Sequence, residues 1–185
     1  MRSFAQRMWG AARLDADTYE EVEADRGSLR QATVVVVAAA VAIGTAHGVR
    51  AAAGGLLPSQ VLLQVAASVL EPLVVWVGGA AVSLMVGATY FRGPETESDF
   101  AEVLRTTGFA FTPALLGGLG ALPPPALGLA IEIAARAWVL VAVVVALRQA
   151  LDFTTARAIG TFGTTAVLLY LILWGLAVAP LPLPL

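Results

Sequence analysis

The sequence predicts an all-α, polytopic membrane protein: a bundle of five transmembrane helices behind a short N-terminal cytoplasmic segment that is amphipathic and then acidic. Three observations predict it. Hydrophobic residues fill 58% of the 185 positions and charged residues only 13%, a composition far from that of an ordinary soluble domain. The apolar runs recur at lengths near the ~20 residues needed to cross a hydrocarbon layer, with room for about five of them. Arginines cluster in alternate connections between these runs, which orients a chain in its membrane.

The segment 1–28 comes first. On a helical projection Phe4, Met8, Ala11 and Ala12 share one side, with Trp9 at its edge and Arg2 and Arg13 opposite. This predicts a short helix that either lies in the interface or caps the bundle. In LDADTYEEVEAD, Asp17 or Thr18 can cap a second short helix with Glu20 or Glu21 as the capping-box partner. Asp15, Asp17, Glu20, Glu21, Glu23 and Asp25, with Tyr19 among them, form either a solvated acidic face or a surface that docks a cytoplasmic protein. The long acidic stretch before the first apolar run is unlike a signal peptide.

The membrane domain is expected over 29–180, with spans at about 29–47, 60–91, 100–122, 126–148 and 155–179, and a proline-rich tail at 181–185. Ser28 with Gln31 can open the first span as a capping box. Small-residue rows within it, Ala38, Ala42, Ala46 and Ala40, Gly44, Gly48, favour close helix packing in lipid. His47, the only histidine, reads as a structural residue at the span's end.

The second run exceeds what a span requires and must tilt, kink or begin at the interface. Its row Gln60, Gln64, Ser68, Glu71, then Val75, Gly79, Ser83, Gly87 should face protein, either within the bundle or, for Gly79, Ser83 and Gly87, across a homo-oligomer contact. Pro72 frees a backbone carbonyl beside Glu71, and a carboxylate inside a span is costly enough to mark either a packing residue or a functional one. In the third span Asp99 and Glu102 supply a capping box, and Thr112, Pro113, Gly117, Gly118 and Gly120 make a deformable helix. Those glycines fit no phosphate loop or dinucleotide fingerprint.

Glu132 precedes Arg136 by one helical turn in the fourth span, the favourable orientation for an i,i+4 pair. Glu71, Glu132 and Arg136 are therefore the candidate intramembrane polar cluster, serving either as a structural ion pair or as the lining of a path. The fifth span carries hydroxyls at Thr161, Thr164, Thr165 and Tyr170, which can bond back to their own helix.

Arg2, Arg7, Arg13, Arg26, Arg30, Arg92, Arg105, Arg148 and Arg157 fall on one side of this arrangement and Arg50 on the other. The expected placement is the cell membrane, N-terminus in the cytoplasm and C-terminus outside. No cysteine is present, which removes disulfides and thiolate chemistry. No nucleophile–base spacing or zinc motif appears, and the only polar head is acidic. No enzyme activity, cofactor, metal or nucleic-acid partner is expected; the bilayer is the expected partner.

The stretches AARLDADTYEEVEADRGSLRQATVVV, RTTGFAFTPALLGGLGALPP and WVLVAVVVALRQALDFTTARAIG resemble, in the same order, the bacterial and archaeal members of the Yip1 family. The resemblance covers nearly the whole chain. It implies a five-helix bundle with a cytoplasmic N-terminus. Eukaryotic members are associated with vesicle traffic and bind Rab-type GTPases through longer N-terminal regions than this one. The function implied is a non-enzymatic membrane scaffold or partner-docking protein, with a small channel or transporter as the alternative.

Overall fold

The computed structural model describes residues 2–92 and 99–178; the tail 181–185 and most of the RGPETESD connection lie outside them. All regular structure among the described residues is helical: α1 Phe4–Ala12, α2 Ala16–Ala24, α3 Ser28–Ala53, α4 Pro58–Tyr90, α5 Phe100–Ala110, a 3-10 segment Thr112–Ala121, α6 Pro125–Ala150 and α7 Thr155–Val178. Four of these, α3, α4, α6 and α7, are long and apolar enough to cross a membrane.

The third expected span departs from a single helix. It is α5 followed by the 3-10 segment, and the switch has a local cause. Pro113 has no N–H to give to the carbonyl of Phe109. Thr112 Oγ1 donates to that carbonyl instead, at 2.7 Å, so the backbone turns tighter without leaving it unpaired. Runs of 3-10 helix this long are uncommon, and packing holds this one. A Cβ on Gly117 would lie 2.7 Å from Ile43, and one on Gly118 3.1 Å from the Ala42 side chain. The bare backbone thus fits between α3 and α6, where Gly128 in turn lies against the Gly120 carbonyl.

The helix starts also depart from expectation in two places. Ser28 Oγ donates to the Val22 carbonyl at 2.8 Å and Gln31 accepts from Arg7, so they form no capping box and Gly27 stands at the N-cap. Neither Asp17 nor Thr18 caps α2. Asp15 precedes it, and Thr18 Oγ1 donates to Asp15 Oδ2 at 2.6 Å. The Asp99–Glu102 box forms at α5, with reciprocal bonds of 2.8 and 3.0 Å.

Both ends of the bundle can be followed by contact. At one end α1 and α2 lie against the bundle: Arg105 Nη2 donates to the Glu23 carbonyl at 2.6 Å and Gln149 Nε2 to Glu20 Oε1 at 2.8 Å. At the other, Arg50 Nη1 reaches the Gly120 carbonyl at 3.5 Å. The main core joins them, from Tyr19, Val22 and Ala11 of the head through Val35, Val36, Trp76, Phe109 and Phe111. The apolar side of α1, Phe4, Met8 and Ala11, packs into this core, with Phe4 edge-on to Phe109 at 6.2 Å. Its apolar face is therefore covered by protein.

Candidate functional site

Seven residues of the acidic segment were candidates for docking, and the fold distributes them unequally. Tyr19 is buried, and its hydroxyl donates to the Ala11 carbonyl at 3.2 Å; burial raises its pKa. Glu21 and Asp25 both face inward onto Arg7, a guanidinium only 1% exposed. Arg7 Nη2 donates to Glu21 at 3.0 Å, and Nη1 to Asp25 at 2.8 Å and to Gln31 at 3.1 Å. The Arg2 backbone N–H and then Arg7 hold Glu21 below its ordinary pKa, as Arg7 and the Gly27 N–H do for Asp25. Asp15 pairs with Arg2 at 3.2 Å. Asp17 and Glu20 remain exposed. Glu23 is half-buried on the bundle side, and its pKa is pushed up to about 7 by burial first, then by Asp152, Glu102 and Glu20, against Arg105.

The second site is at the opposite end, about Glu132. This carboxylate is 5% exposed and takes three cationic or protonatable partners. Arg136 Nη2 lies 2.7 Å and His47 Nε2 2.8 Å from Oε1. Arg50 Nη2 lies 2.8 Å from Oε2, as an ion-pair contact outside hydrogen-bond angles. The other ring nitrogen of His47 is 2.7 Å from Ser68 Oγ, which also accepts from Gln64 Nε2 at 3.4 Å. α3 supplies His47 and Arg50 one turn apart, α6 supplies Glu132 and Arg136, and α4 closes the side with Ser68.

The spacing of side chains on a helix explains the arrangement. In α6 the side chains lean toward the N-terminus, so Arg136 reaches back one turn to Glu132. There it is 55% exposed, beside Arg50 at 33%. Glycine makes the room: a Cβ on Gly120 would stand 3.3 Å from Glu132 Oε2. Glu71 is elsewhere. It is exposed on α4 and makes no ion pair with Glu132 or Arg136 among the described contacts. His47 and Arg50, which the sequence presents as a lone histidine and a lone outer arginine, occupy the place beside Glu132. The available signal is their separation by three residues on one helical face.

Between this cluster and the head lies an apolar crevice of about 330 Å³, bordered by Val75, Gly79, Ser83, Val139, Val143 and Thr165 among others. Ser83 Oγ donates to Thr165 Oγ1 at 3.2 Å in its floor, so Thr165 pairs across helices instead of only with its own. Gly87 of the same α4 row packs on Leu151 and Phe153. Ser68, Ser83 and Gly87 are buried in the bundle, whereas Gln60, Gln64 and Glu71 of that row are exposed, contrary to expectation. Among the described residues no three His, Cys, Asp or Glu side chains converge as a metal site.

Comparison with curated proteins and with solved structures finds no match to the chain. The model of the Yip1 domain matches residues 13–177, a range that takes in the acidic helix, all four long helices but for the last residue of α7, and the glycine-rich 3-10 segment between them. By that match the chain, a multi-pass membrane protein, belongs to the Yip1 family.

Proposed function

We propose that this protein is a non-enzymatic organiser of the cell membrane, in which residues 1–28 form a rigid cytoplasmic plate on a five-crossing domain over 29–180. The observation that carries the reading is the Arg7 latch. It ties α1 to α2 through Glu21 and Asp25 and to the start of α3 through Gln31, while Asp17 and Glu20 stay exposed. Such a plate offers a preformed acidic surface and little ordering cost to a basic partner.

The fifth crossing is α5 together with the 3-10 segment. At rises of ~1.5 and ~2.0 Å per residue the pair extends about 35 Å, more than the ~30 Å of hydrocarbon. Contacts at Glu23 and at Arg50 support this assignment, since they tie Arg105, midway along α5, and Gly120, near the end of the 3-10 segment, to opposite ends of the bundle. With five crossings, the arginine distribution favours a cytoplasmic N-terminus and an external C-terminus.

A photocrosslinker at exposed Ala24 tests the docking reading in cells. It should give a discrete protein adduct that Asp17→Arg with Glu20→Arg abolishes. Adducts that survive this charge reversal, or adducts with lipid alone, count against docking. Because the chain lacks cysteine, single cysteines at Ser3 and Gly55 test topology with an impermeant maleimide; only Gly55→Cys should label from outside.

A small transporter is the second reading, favoured by the exposure of Arg50 and Arg136 around a sealed Glu132. It predicts solute flux in liposomes that is lost in Arg136→Ala, and no flux above empty liposomes would remove it.

A further inference from the structure

We infer that the cleft between α4 and α6 is a binding site for one glycerophospholipid, its phosphate on Arg50 and Arg136 and one acyl chain in the apolar crevice. Both helices run from the Arg50 end toward the head, and each carries a stripe that changes from polar to apolar in that direction. On α6 the stripe is Glu132, Arg136, Val139, Leu140, Val143; on α4 it is Gln64, Ser68, Glu71, Val75, Gly79, Ser83, with Glu71 exposed and making no ion pair with Arg50 or Arg136 among the described residues. The first residues of each stripe belong to the charged cluster, and the last line the crevice. The crevice begins one turn past Arg136 on α6 and two turns past Ser68 on α4, with α5 beneath it at Thr107 and Phe111 and α7 along its other side at Phe162 and Leu169.

The charge balance calls for an anion. Two arginines share one carboxylate, which leaves one positive charge over, with His47 beside it. Arg136 spends one nitrogen on Glu132, and the rest of a guanidinium that is 55% exposed retains donors suited to phosphate oxygens. Both arginines grip the same carboxylate, so their guanidinium groups converge. Glu132 lies about 10 Å along α6 from its start. A helix of 26 residues overhangs the ~30 Å layer by about 4–5 Å at each end, so the carboxylate sits about 6 Å inside the hydrocarbon, a depth from which long arginine side chains reach the headgroup level.

The chain of such a lipid would run down the α6 stripe. Val143 is about 10 Å below Arg136 along the helix, and the crevice there has the volume of a small-ligand pocket. Gly79 borders it with no heavy atom within 4 Å of where a Cβ would stand. That space is open to an acyl chain, and a larger side chain there would fill it without striking the bundle.

Native mass spectrometry of the purified full chain tests the assignment, with phosphatidylglycerol, diacylglycerol of the same chains and glycerol phosphate as separate probes. The protein should retain phosphatidylglycerol about tenfold over diacylglycerol. Arg136→Gln should erase that preference, and Gly79→Leu should lower phosphatidylglycerol retention about tenfold while the arginines are intact. Hydrogen exchange over α3 and α6 confirms that each variant is folded, and Gly79→Met serves if Gly79→Leu is not. Equal retention of the two lipids overturns the proposal. So does glycerol phosphate matching phosphatidylglycerol, which means a soluble-anion site, or indifference to Gly79→Leu, which means adsorption on surface arginines. A dimer that fills the crevice in place of lipid overturns it as well.

Discussion

Replacing Arg7 with Met isolates the latch that holds the head. The guanidinium is 1% exposed and makes bonds of 2.8 to 3.3 Å to Asp25, Gln31 and Glu21. Removing one partner of a fully buried pair costs about 3–5 kcal/mol, largely because the other charge is stranded. Here the strandedness is partial. Glu21 keeps the Arg2 N–H at 2.9 Å, Asp25 keeps the Gly27 N–H at 2.8 Å, and both carboxylates are 24% exposed. A loss of about 2 kcal/mol follows, a roughly 30-fold increase in the population with the head detached. Hydrogen exchange in nanodiscs reads this directly: amides of α1 and α2 should exchange about 30-fold faster, with α3 and α6 unchanged. An increase below threefold, or an equal increase through the spans, refutes the latch. The pH dependence has a fixed sign. The folded pKa values of Glu21 and Asp25 are lowered, so their contribution is present above the ordinary carboxylate range near pH ~4 and is lost as pH falls below it.

Four further outcomes are expected. Glu23 titrates in the opposite sense: its folded pKa is raised to about 7, so its stabilisation of the docked head is full below pH ~4.5 and is lost as pH rises through about 7. Glu23→Gln should therefore flatten the protection factors of α2, its exchange relative to the intrinsic rate at each pH, between pH 5 and 7.5, to within about twofold. Glu132→Gln leaves Arg50, Arg136 and His47 without a counter-charge and should cost about 3 kcal/mol, lowering the melting temperature in detergent by about 6–12 °C. Glu71→Gln, at an exposed and unpaired position, should shift it by less than about 2 °C; equal shifts would contradict the separation of the two carboxylates. Gly128→Ala would drive a methyl into the Gly120 carbonyl and should destabilise by about 1–3 kcal/mol, detectable in the same melting experiment.

The membrane class and four long helices were legible because apolar composition and run length are local properties, unaffected by what packs where. The Glu132–Arg136 pair was legible for the same reason, since both residues sit on one helix a turn apart. Its other partners were not. His47 and Arg50 meet Glu132 only because the bare backbone of Gly117, Gly118 and Gly120 lets α3 approach α6, and hydropathy carries no information on interhelical distance. Glu71 was grouped with Glu132 and Arg136 because all three are charged residues inside apolar runs, and position in a run says nothing of which neighbour a side chain meets. The capping signals show the same limit: Asp99–Glu102 formed its box in isolation, whereas the head's tertiary partners drew Ser28 and Gln31 away from theirs.

The head's attachments also order the events of synthesis. Its partners Arg105, Trp138 and Gln149 lie 82 to 129 residues downstream, with Trp138 Nε1 donating to the Ala12 carbonyl at 2.8 Å. The N-terminal segment is thus made first and seated late, after α5 and α6 are in the membrane. Until then the Phe4–Met8 face is uncovered, whereas Arg7 already has Glu21, Asp25 and Gln31, all within 24 residues of it. A chain arrested before α5 leaves that face uncovered and a completed one hides it against Phe109, so seating of the head follows synthesis of the later helices.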